Sequence, residues 1–120
     1  MPFQYVLTNL LVDVPEAVGA IFLDEEGEAV EWVSSDAGDP YHLKIEGAYQ
    51  AIIQRFLATA EITNETGRLE SYVLQGRELV TLTELLPDGY YVVLVARRVG
   101  SLAVAKHHLK RAARAIAGEL

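Results

Sequence analysis

The chain has 120 residues, 51% of them hydrophobic, four prolines, no cysteine and a formal net charge of −7. That length and apolar content suit one domain with a single buried core, and the lack of cysteine excludes a disulfide framework, a thiolate nucleophile and a thiolate metal site. The acidic balance argues against a nucleic-acid reader, which carries a basic surface interleaved with aromatics.

From the N-terminus, Phe3, Leu7, Leu10, Leu11 and Val14 recur at helical spacing, and Pro15 stops the helix they predict. Val18–Leu23 is a solid apolar run, as expected of a strand buried on both faces; it breaks at Asp24-Glu-Glu-Gly27 and resumes as an alternating strand to Val33, which makes a hairpin. Ser34–Pro40 is a polar loop in which Asp39 suits an N-cap and Pro40 a first helical residue. The helix this predicts runs from Tyr41 to about Ala60. Its apolar positions, Tyr41, Ile45, Ala48, Tyr49, Ile52, Ile53, Phe56 and Leu57 among them, cover nearer half the circumference than the ~100° arc that one contact needs. Such a helix has two surfaces to satisfy.

Glu61–Thr66 with Gly67 reads as a loop. Three antiparallel strands are then expected: Arg68–Gln75, Arg77–Leu86 and Tyr90–Arg98, separated by turns at Gly76 and Pro87-Asp-Gly89. Tyr90–Ala96 is apolar on both faces and belongs at the sheet centre, whereas Arg68–Gln75 mixes charge with apolar residues as an edge strand does. Gly100 and Ser101 open a last helix whose stripe is Leu102, Ala105, Leu109, Ala112, Ala113 and Ile116. Six of the ten bases lie from Arg97 onward, and Lys106, Lys110, Arg111 and Arg114 read as its solvated face. No apolar run approaches the roughly 18–20 residues of a membrane span, and the Met1-Pro-Phe-Gln start lacks the basic n-region of a secretory signal. The cytoplasm is the expected compartment.

Little in the chain points to chemistry of its own. Asp24, Glu25, Glu26 and Glu28 lack the spacing of a calcium loop and read as a solvated hairpin tip. His107 and His108 are neighbours on a helix, about 100° apart, and cannot share one ion from one face. Ser34, Ser35, Ser71 and Ser101 stand in no G-x-S-x-G elbow, and no Gly-Lys dipeptide marks a phosphate loop. No catalytic residue, cofactor or metal is expected; Arg55 and Arg68 are read as local ion-pair partners, and Trp32 as packing under a terminal helix.

The order α-β-β-α-β-β-β-α, with Val18-Gly-Ala-Ile-Phe-Leu-Asp-x-x-Gly27, Leu74-Gln-Gly-Arg-Glu-Leu-Val80, Asp88-Gly-Tyr-Tyr-Val-Val-Leu-Val95 and Leu102–Ile116, resembles the roadblock/dynein light-chain domain family over nearly the whole chain. The resemblance implies a profilin-like α+β (α/β) fold in which a five-stranded antiparallel sheet, order 2-1-5-4-3, carries the first and last helices on one face and the middle helix on the other. It implies a non-enzymatic homodimer made by paired middle helices and third strands, through Tyr41, Ile45, Ala48, Tyr49, Ile52, Ile53 and Phe56 on the helix and Leu69, Ser71, Tyr72 and Val73 on the strand. By the same likeness His42, Glu46, Gln50 and Gln54 form the exposed face that meets a partner, a Ras-like small GTPase or a motor or scaffold protein. The family's gliding-motility regulators often carry a tail beyond the last helix and this chain ends at Leu120, so binding a GTPase is implied more directly than activating one. The alternative from another class is a small-ligand sensor with a pocket between sheet and helix.

Overall fold

The computed structural model describes residues 2–35, 40–59, 65 and 67–120. Helix α1 (Pro2–Asp13) is followed by β1 (Ala17–Leu23), β2 (Ala29–Ser34), α2 (Pro40–Thr59), β3 (Ser71–Gln75), β4 (Val80–Leu85), β5 (Tyr91–Ala96) and α3 (Leu102–Ala117). The strands form one antiparallel sheet in the order β2-β1-β5-β4-β3, as expected. Asp39 and Ala60, expected at the ends of α2, and the expected loop 61–66 apart from Glu65, lie outside the described residues.

Strand alternation divides the interior into two clusters. Val92, Leu94 and Ala96 of β5 point to one face, where Leu7 and Leu10 of α1 and Ala105, Leu109 and Ile116 of α3 cover them. Tyr91, Val93 and Val95 point to the other, where α2 supplies Leu43 and Ala51. Because β1 and β5 are clothed on both sides they are apolar at nearly every position, which is why their runs lack alternation.

Short-range chemistry fixes the ends. The Asp24 carboxylate accepts from the amides of Glu26 (2.9 Å) and Glu28 (3.0 Å), and Gly27 at φ 87° completes the β1–β2 turn. In the β3–β4 turn the Gly76 amide donates to the Leu79 carbonyl at 2.8 Å. β4 therefore starts later than expected, because Arg77 and Glu78 sit in that four-residue loop, while β3 ends at Gln75 as expected but begins only at Ser71. Ser101 caps α3, its hydroxyl accepting from the Val104 amide at 3.2 Å.

One correction concerns Trp32. It stands opposite Ile21 on the α2 face of the sheet, and Lys44 of α2 holds its ammonium 3.7 Å from the ring centroid. It packs under the middle helix rather than a terminal one, because the register of β2 sends alternate side chains that way.

Candidate functional site

Helix α2 touches the sheet through a narrow line of residues. Leu43, Gly47 and Ala51 are its contact, and a methyl group on Gly47 would sit 3.0 Å from Leu23 and 3.1 Å from Ile21. Glycine there lets the helix axis come down onto β1, and the Tyr91 hydroxyl donates to the Gly47 carbonyl at 2.9 Å across the gap. The helix backbone is thus pinned to the middle of the sheet by a buried tyrosine.

The opposite side of α2 is apolar and bare. Tyr41 (69% exposed), Ile45 (38%), Tyr49 (56%), Ile52 (59%) and Phe56 (73%) form a stripe at i, i+4, i+8, i+11 and i+15, with Ala48 exposed beside it. Ile53 is half-buried at its edge. A folded monomer shows large apolar side chains singly, and a continuous row of five along one helix is the signature of a contact surface.

Strand β3 is a free edge of the sheet on the same flank. Ser71, Tyr72 and Val73 are half-buried, as is Leu69 just before the strand. Tyr72 lies on the α2 face and donates its hydroxyl to Gln50 Oε1 at 2.9 Å, while Val73 points to the other cluster. Burial pushes the Tyr72 hydroxyl above its ordinary pKa, and the nearby Thr83 and Gln54 side chains partly oppose the shift. Burial raises Tyr91 in the same way. Leu74, two residues after Tyr72 and exposed on the α2 side, extends the apolar surface; the period-two pattern of a strand is the signal that pairs it with Tyr72.

The expected partner face needs one correction. His42 is exposed and Glu46 and Gln54 are half-buried, but Gln50 is only 2% exposed. Its position on the wheel turns it toward β3, where Tyr72 holds it, so Gln50 presents nothing to a partner. What it does is tie the helix to the edge strand.

Beneath the C-terminal half of α2 lies an open cleft of about 1030 Å³. Helix residues Ala51, Gln54, Arg55 and Ala58 form one wall, and the Leu85–Gly89 turn and residues 68–70 the other. Arg55 and Arg68, expected to serve local ion pairs, form none among the described residues. Among those residues no group of three His, Cys, Asp or Glu side chains is placed to hold a metal, and no helix is long and apolar enough to cross a membrane.

A central antiparallel sheet with two terminal helices on one face and a long helix on the other defines a profilin-like α+β fold. Acanthamoeba castellanii profilin II superposes with a TM-score of 0.65 at 13% identity, over 98% of each chain. Within that class the chain is a roadblock-fold protein. It superposes on the gliding protein MglB from Thermus thermophilus with a TM-score of 0.85 at 24% identity, covering 98% of this chain and 87% of that one. It superposes on a roadblock/LC7 domain from Streptomyces avermitilis at 0.83 and 15% identity, covering 97% and 95%. By sequence, no family model and no curated protein matches.

Proposed function

We propose that this chain is a non-enzymatic, homodimeric roadblock module of the cytoplasm that binds or regulates a Ras-like small GTPase, or scaffolds a motor or signalling complex. The observation that carries the reading is the uncovered apolar row on α2, which a second copy would bury together with the edge of β3. Contact of two such faces at about 800 Å² per partner is ordinary for a stable complex. The apolar residues Tyr41, Ile45, Ala48, Tyr49, Ile52, Ile53 and Phe56, with Leu69, Ser71, Tyr72 and Val73, form the dimer surface in this reading. His42, Glu46 and Gln54 border it and are the polar positions offered to a partner.

Likeness in fold to a gliding protein supports a regulatory role of this kind. The test is a pull-down of a Ras-like GTPase encoded beside the gene, loaded with GTP or GDP, by the wild-type chain and by Ile52→Glu. Binding that favours one nucleotide and is lost with Ile52→Glu is expected. Capture of neither form sinks the GTPase reading.

A further inference from the structure

Of the residues that line the cleft under α2, only Leu69 belongs to the proposed dimer surface, and charged side chains that form no ion pair with one another line the rest. Arg55 and Arg68 line it and are exposed, without an ion-pair partner among the described residues. Gln54 lines it too, with its side-chain amide hydrogen-bonded to Tyr72. Glu25 from the hairpin tip, Glu70 before β3 and Asp88 from the turn contribute carboxylates to the same cleft, and none of them forms an ion pair with the two arginines. Leu69, Leu85, Leu86 and Pro87 supply an apolar surface among these groups.

We infer that the cleft is a binding site for a small zwitterion of the α-amino-acid class with an apolar side chain. Arg55 and Arg68 receive its carboxylate, Glu25 and Asp88 its ammonium group, and Leu85 and Pro87 its side chain. Guanidinium groups match a planar carboxylate with paired charge-assisted hydrogen bonds. A simple anion would also face the three carboxylates, and a simple cation the two guanidiniums, so the cleft discriminates against both. Its volume lies just above the ~300–1,000 Å³ typical of ligand clefts, which leaves room for water beside a ligand of this size.

The site is complete within one chain, so a monomeric protein would overturn the homodimer without touching this inference. Isothermal titration of the full chain with L-leucine and L-phenylalanine tests it, alongside N-acetyl-L-leucine, L-leucinamide and the double variant Arg55→Gln/Arg68→Gln. Saturable binding of one of the two amino acids is expected, weakened at least about tenfold by capping either end or by the double variant. Both replaced side chains are exposed, so the variant should melt with the unliganded wild type. Absence of saturable heat with both amino acids, or binding indifferent to capping or to the arginines, overturns the assignment.

Discussion

Replacing Ile52 with glutamate puts a charge at the middle of the α2 row. In the single chain Ile52 is 59% exposed, and its side chain points away from the sheet. Full burial of an isoleucine is worth about 1.5–3 kcal/mol, so covering the remaining surface contributes about 1–2 kcal/mol per side chain and about 2–4 kcal/mol for the two copies that a twofold brings together. Glutamate forfeits that gain and adds the cost of desolvating two carboxylates. The dimer dissociation constant should therefore rise at least about thirtyfold. Sedimentation equilibrium across the micromolar range measures it, and circular dichroism checks that helix content and melting of the monomer are unchanged. A variant that self-associates as tightly as the wild type would refute the reasoning.

Other expectations concern what holds the fold together. Gly19→Val should destabilise the chain by about 1–3 kcal/mol through overpacking, because even a Cβ there would lie 2.8 Å from Leu43 Cδ2 and 3.2 Å from the Val33 carbonyl; urea unfolding reads the loss. Ser101→Ala removes the α3 cap and should cost about 1 kcal/mol in the same assay. Tyr72 and Tyr91 are raised above the ordinary tyrosine value in the folded state. The unfolded chain therefore releases those protons first as pH rises, so stability should hold below about pH 10 and fall above it. Tyr91→Phe should flatten that alkaline slope; an equal slope in the variant would refute the assignment to Tyr91.

The fold was legible because its elements are patterned at two distinct periods. Val18–Leu23 and Tyr90–Ala96 have no polar side, which only strands covered on both faces show, and Pro15, Gly27 and Pro87-Asp-Gly89 mark where elements stop. The excess apolar arc of α2 was legible for the same reason: Leu43, Gly47 and Ala51 already account for the sheet contact, which leaves Tyr41, Tyr49 and Phe56 over. Gln50 was not legible, since nothing in a helical wheel says that a glutamine will be held inside by a tyrosine 22 positions later. Nor was the cleft, whose walls come from four separate segments and meet only once the β4–β5 turn folds back beside α2.

Whether α2 meets a second copy of itself decides most of what is proposed for this chain. Light scattering on the wild-type chain after size exclusion, loaded in the micromolar range, measures this directly. A particle of twice the 13.2 kDa chain mass is predicted. A single-chain mass at every concentration, with the apolar row of α2 still open to water, would contradict it.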